Sequence, residues 1–339
     1  MLATQIPRID PAEFSWCEES RQMIDHGKTL SPDQRTDAVI KQSIDRAIWN
    51  DDILRAIEYY EIDVHVKNGI VYLHGHIVST TSKSRIENAI RSIPGIRGIQ
   101  NNLVLDDKLT LDVAGSLAEL EHAYDCKFFT GASHGVISLN GDVKDESVRM
   151  LAEKRAASNP NVRGVINNVR VSGIQQELQD QPFLQPRIGE TIYFLDGVSG
   201  LVKQVIINPN NRRVKAMIIV AKFTDQHHQI DGKANPPEQL VVVPMNEVRY
   251  LTRGSGFLYI RSNERNRYTE FNAARFFTPK KGWKAPHPYC PADVLFPVEQ
   301  REVEVEYQIL EQLPRPPFVI ALQEQVLWEQ LLANDSLGG

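Results

Sequence analysis

Apolar positions along the chain switch between helical and strand spacing, and the switches come in the same order twice. From Asp37, the residues Val39, Ile40, Ile44, Ala47 and Ile48 recur at helical spacing, and Ile53, Leu54, Ile57 and Tyr60 continue as a second helical stretch. Ile62, Val64 and Val66 then alternate with Asp63 and His65, the pattern of a half-buried strand. Asn68-Gly69 predicts a hairpin turn, with Ile70 to His74 as the return strand closed by Gly75. Ser79 to Ser82 supply cap candidates for a helix with Ile86, Ala89, Ile90 and Ile93 on its apolar face, which Pro94-Gly95 ends. Ile99 to Leu105 makes the last strand. The order helix, hairpin, helix, strand predicts one sheet with helices on one face.

The plan begins again near Leu111. A shorter opening helix (Val113, Leu117, Leu120) is expected, then Phe128, Phe129 and a Ser133–Gly135 turn leading into Val136–Leu139. Asp145 is a plausible N-cap, and Ala152, Ala156 and Ala157 allow close helix packing before Asn159-Pro160. The segment Gly69–Leu105 aligns without a gap on Gly135–Val171 at a constant offset of 66. Gly69/Gly135, Leu73/Leu139, Gly75/Gly141, Glu87/Glu153, Pro94/Pro160, Arg97/Arg163, Gly98/Gly164, Asn101/Asn167 and Asn102/Asn168 are identical. These matches read as turn glycines and core positions, so the repeat is a duplicated scaffold rather than a duplicated reaction centre; its period is too long for a common solenoid. The pattern G-[IV]-[VI]-x-L-x-G-x-[VI], a helix, and P-x-[IV]-R-G-[IV]-x-N-N-[LV]-x-[LV] resembles the BON domain of bacterial osmotic-stress and secretin-associated proteins. That resemblance implies attachment to phospholipid surfaces or contact with other proteins, and no enzymatic activity.

Beyond a Gln- and Pro-rich linker at 174–186, strand-like alternation returns in Leu201, Val205 and Ile207 and in Val214, Ala216, Ile218 and Val220. Gly189, Gly197 and Gly200 read as turn glycines, as do Gly75, Gly98, Gly141 and Gly164 in the repeats. Gln239–Pro244, Val248–Leu251 and Phe257–Ile260 add short strands, which predicts a small, mainly antiparallel β-barrel. Arg187 to Ile260, with D-G-x-x-G-x-V-x-x-V-I-I-x-P and VVVPMNEV, is similar to the PRC-barrel family, with Thr224–Pro237 as an inserted polar loop. The expected class is therefore α+β: a leader (1–35), two small α/β-sandwich units (36–106 and 107–173), the linker, a barrel (187–262) and a C-terminal extension (263–339). In the extension, Val303 and Val305 suggest an edge strand, and Val319 to Leu332 an amphipathic helix.

Composition narrows the function. A hydrophobic content of 42% and a charged content of 24% are ordinary for a folded protein. No secretory pattern or apolar run long enough for a spanning helix is seen, so a cytoplasmic location, in part peripheral to the inner membrane, is expected. Cys17, Cys126 and Cys290 lie far apart without a CxxC pair, which suggests free structural thiols. His74 and His76 could share a strand face, but the second repeat has Asn140 and Asp142 there, so exposed strand residues are expected. His227-His228 and the pair His287/Cys290 are weak ligand candidates. No phosphate-binding loop, nucleophile elbow or metalloprotease motif occurs, and no cofactor, metal or small-molecule substrate is expected.

The strongest functional signal is segregated charge. Arg249 to Lys284 holds nine basic residues against two acidic, interleaved with eight aromatic ones. Arg249, Arg253, Arg261, Arg265, Arg267, Lys280 and Lys281 are the binding candidates. Such a stretch suits an anionic phospholipid surface or a protein partner, with RNA or the ribosome as the alternative. Two features oppose a functional reading: residues 291–339 carry nine acidic groups against two basic, and the aromatics could be barrel core. The net charge of −5 also argues against general nucleic-acid binding.

Overall fold

Two sheets of the same build carry the repeat in the computed structural model, which describes residues 32–173, 183–223, 238–252 and 254–298. The first unit runs α1 (Pro32–Asn50), α2 (Asp52–Ile57), β1 (Ile62–Lys67), β2 (Ile70–Ile77), α3 (Thr80–Arg91), β3 (Gly98–Asn101) and β4 (Val104–Leu105). Asp51 caps α2 through the Ile53 and Leu54 N–H groups, and Ser79 caps α3 through Ser82 N–H. β1 and β2 form the hairpin, and β3 and β4 both lie parallel to β2. Ile40, Ile44 and Ile48 of α1 and Ile86 and Ile90 of α3 cover Val66, Val71 and Leu73 on one sheet face.

The second unit consists of α4 (Asp106–Tyr124), β5 (Lys127–Ser133), β6 (Val136–Val143), α5 (Glu146–Ala157) and β7 (Gly164–Val171), with sheet order β5-β6-β7. Its opening helix is not shortened: α4 has 19 residues, as α1 does. It starts directly after β4, and the acidic Asp106 and Asp107 suit the positive end of a helix. Leu109 joins Val113, Leu117 and Leu120 on the buried face.

Polar matches of the repeat hold the scaffold. Asn101 donates to Glu87 at 2.8 Å and accepts from Leu103 N–H; Asn167 donates to Glu153 at 2.9 Å and accepts from Val169 N–H. Asp37 accepts from the hairpin N–H groups of Asn68 and Gly69, and Asp106 from those of His134 and Gly135. Gly75 does not close β2 but sits inside it at φ +120°, where a Cβ would lie 2.0 Å from Glu61 O; Gly141 repeats this at φ +143° against Lys127 O. Both are close backbone approaches that only glycine permits.

The strands of the third unit are β8 (Thr191–Tyr193), β9 (Ser199–Ile207), β10 (Val214–Lys222), β11 (Glu238–Pro244), β12 (Val248–Leu251), β13 (Ser255–Leu258), β14 (Thr269–Glu270), β15 (Phe276–Phe277) and β16 (Val294–Pro297). They build a half-barrel sheet whose main path is β12-β13-β8-β9-β10-β11-β14. The boundary expected at 262 does not end this body. β16 pairs with β9, and Tyr268, Tyr289, Val294 and Phe296 pack in the same core as Ile192, Met217 and Val241. Simple alternation also fails in β9 and β10. The register skips Lys203 and Lys215, so each strand carries a bulge that changes which residues face inward. Leu201 is 42% exposed while Val202 is fully buried, and Ala216 and Ile218 sit in a separate small cluster with Ile206 and Leu295. Gly189 and Gly197 occupy positive-φ turns. Gly98, Gly164 and Gly200 lie in strands instead, and a Cβ on Gly200 would lie 2.6 Å from Val220 O.

The end of the expected linker is packed. Phe183 lies against Gly164, and Leu184 joins the half-barrel core. Cys126 is a free thiol, but Cys290 is disulfide-bonded, against the expectation of free thiols throughout. An odd count requires one unpaired cysteine and leaves the rest undetermined. Among the described residues, no helix is long and apolar enough to cross a membrane. The leader to 31, the loop 224–237 with His227-His228, and residues 299–339 with the expected edge strand and terminal helix lie outside the described residues.

Candidate functional site

The cationic stretch is spread over the half-barrel by its edge strand β12, the turns after β13 and the segment leading to β16. Arg249, Arg261, Arg265, Arg267, Lys280 and Lys281 are all exposed, and Arg253 lies outside the described residues. Their partners differ. Arg267 forms an ion pair with buried Glu247, which lies just upstream of the stretch. Arg265 lies over the rings of Phe223 (4.5 Å) and Tyr268 (5.7 Å) and donates to Gln239. Arg249 covers Tyr250 at 5.8 Å. The stretch therefore supplies charge at the surface, while part of that charge is tied to the half-barrel itself.

Most of the interleaved aromatics are engaged with other rings. Tyr268 is buried against Phe223 and Phe194, Phe277 and Trp283 meet Phe296 edge to face, and Phe271 stacks on Phe276. On the outer side of β12, β13 and β8, Tyr250, Phe257 and Tyr193 form a stack with centroid spacings of 4.8 and 5.3 Å. Those ring faces meet each other, which leaves them poorly placed to stack on nucleic-acid bases. Tyr259 is exposed without such a stack.

A second polar constellation, not foreseen from the sequence, lies where the three units meet. Asp63 on β1 accepts from Arg187 at 2.9 Å, and its other oxygen lies 3.0 Å from His287 Nε2. Arg163, which precedes β7, donates to Glu61 (2.5 Å), to the His134 carbonyl (2.9 Å) and to Gln185 (2.9 Å). His134 approaches fully buried Glu58 at 3.5 Å. His76, expected at the surface, is only 2% exposed; its Nε2 donates to Asn161 O at 2.7 Å and its ring lies 5.8 Å from that of His287. Arg212, from the turn before β10, donates to the carbonyls of Ala157, Pro160 and Lys284 and lies over Trp283. Tyr289 donates to Pro186 O at 2.8 Å.

Burial and charge oppose each other at Asp63 and Glu58 and act together at His76. Burial opposes the charged form of Asp63, but His287 and Arg187 outweigh it and hold the carboxyl well below its usual range. Glu58 is likewise lowered, because His134, Ser82 and the Val78 N–H outweigh burial. His134 is raised by its bond to Glu58. His76 is pushed down to about 3, first by burial and then by the nearby His287, Arg163 and His134. Burial alone lowers Arg212 to about 10. Among the described residues, no group of three His, Cys, Asp or Glu side chains is arranged to hold a metal ion.

The only hint of this junction in the sequence is where the repeat breaks. At the shared offset, Glu61 faces Lys127 and His76 faces Asp142, so the copies differ where the first unit meets its neighbours. The distant partners Arg187 and His287 left no local pattern.

The family model of the BON domain matches residues 36–107 and 132–173. Comparison with curated proteins gave no match. Among solved structures, the chain is similar to CdsD, a structural protein of the type III secretion system of Chlamydia trachomatis, at 13% identity and a TM-score of 0.33. That match covers 48% of this chain and 75% of the other, and at such a score it carries no argument.

Proposed function

We propose that this protein is a non-enzymatic adaptor that attaches to an anionic membrane surface or to a protein assembly through its BON-like units and its half-barrel. The observation that carries the reading is the BON family match at residues 36–107 and 132–173, combined with what the repeated polar residues do. Glu87/Glu153 and Asn101/Asn167 bind their own scaffold, and Asp37 and Asp106, which the aligned repeat does not include, bind the equivalent hairpins, so the duplication preserved a shape. Association with phospholipid surfaces or protein assemblies is what a BON domain suggests. The exposed cations Arg249, Arg261 and Lys281 would add attraction to anionic lipid that weakens with salt. We read the third unit as a PRC-like barrel on its strand order and on the sequence pattern from Arg187 to Ile260.

Flotation of the purified full chain with anionic and with neutral vesicles, at low and at physiological salt, tests this. Flotation with anionic vesicles alone, reduced by salt, is expected. Absence of flotation under every condition would remove lipid as the partner and leave a protein assembly.

A further inference from the structure

We propose that His76, His287 and Asp63 form a proton-operated latch: neutral His76 lets the second unit and the half-barrel dock on the sheet of the first, and protonation of His76 releases them. This concerns the arrangement of the units, and its failure would leave the adaptor reading untouched.

The geometry leaves a second proton on His76 without an acceptor. Its ring lies beneath the 134–135 turn so closely that a Cβ on Gly135 would be 2.4 Å from His76 Cδ2. Nε2–H is already committed to Asn161 O, and buried Nδ1 has no hydrogen-bond partner. A proton on Nδ1 would therefore bring a buried N–H without an acceptor and a buried charge. The other groups facing this space come from every surrounding element. The second unit presents Arg163, His134 and Asp106, and the first presents Glu58 and Glu61 beside Asp63. The half-barrel presents Arg187 with Glu190, and His287 with Tyr289. The groups that act most on the charge of His76 are His287, Arg163 and His134, and each of them disfavours a proton there.

Linkage fixes the direction. His76 sits far below its ordinary 6.5 when docked, so the undocked state takes up the proton first. Docking is fully favoured above about pH 6.5 and weakens as the pH falls towards the docked value of about 3. For one proton, the docking constant drops by about thirtyfold at pH 5 if undocked His76 titrates normally. His134 opposes this, because its raised value adds docking strength that is present in acid and lost as pH rises. Asp63 is lowered, so its contribution holds above its ordinary value of 3.8 and fails only in stronger acid.

Small-angle scattering of the full chain from pH 7.5 to 4.5, with far-ultraviolet circular dichroism on the same samples, tests the latch. The expected result is a radius of gyration that grows below about pH 6 while the dichroism stays constant. A constant radius to pH 4.5, or a radius that grows only as the dichroism collapses, would overturn it. His76→Gln, which cannot titrate, should remain compact at pH 5; expansion at the same midpoint as the wild type would refute the role of His76. Should this variant be expanded at pH 7.5, hydrogen exchange at the imidazole C2 of the wild-type histidines decides: titration of His76 near 6.5 in the compact protein contradicts the latch, and titration below about 5 supports it.

Discussion

A methyl group has no place at residue 135. Gly135 holds φ +79° and its missing Cβ points into the ring of His76, so one glycine satisfies a hairpin turn and a contact between units. Gly135→Ala should cost about 2 kcal/mol or more in urea denaturation, through backbone strain and displacement of His76. At Gly69, the equivalent missing Cβ meets the backbone of Gly95 and the Arg97 side chain, all within the first unit. The same scale explains the repeated asparagines. Asn101→Ala removes a bond to a glutamate and one from a backbone N–H, and Asn167→Ala removes the same two and a bond to Arg149 O, so each should destabilise by about 1–3 kcal/mol, with Asn167→Ala costing at least as much. A cost at both sites would show the shared bond in both copies; a negligible cost at either would deny it. The sequence made these residues visible as identities, but their bonding became clear only when helix and strand were brought together.

Elements with a clear period were readable, and those with interruptions were not. The hairpin β1–β2 and helix α3 follow the spacing of their apolar residues and their caps. β9 and β10 do not, because one extra residue in each strand shifts the inward side, and no apolar pattern marks a bulge in advance. The start of α4 was hidden for another reason: Leu105 ends a strand and Asp106 begins a helix with no turn residue between them. Docking of α5 on the half-barrel depends on Arg212, which is 3% exposed and binds Ala157 O and Pro160 O near the negative helix end. Arg212→Met keeps much of the packing but loses these bonds. It should lower the thermal midpoint by several degrees and raise hydrogen exchange at Val165, whose N–H donates to Asn211 O in the adjoining turn. Unchanged exchange at Val165 would show that the helix end does not need this anchor.

Among the described residues, the three units are joined through groups scattered from Glu58 to Tyr289, and that scatter kept the junction out of reach of sequence patterns. Charge segregation was legible, whereas the division of cations between the surface and the fold was not. Arg267 is bound to Glu247, a residue immediately outside the stretch, and Arg265 rests on the aromatic rings. Substituting Arg267 should therefore chiefly affect stability, and substituting Arg249, Arg261 and Lys281 should chiefly affect binding. The proposed attachment to an anionic surface through exposed cations is tested by quantitative cosedimentation with anionic vesicles, comparing the wild type with a variant carrying Arg249→Glu, Arg261→Glu and Lys281→Glu. The variant should lose at least about tenfold in affinity at low salt, with unchanged circular dichroism and convergence of the two proteins as salt rises. Equal binding of both proteins at every salt concentration would contradict it.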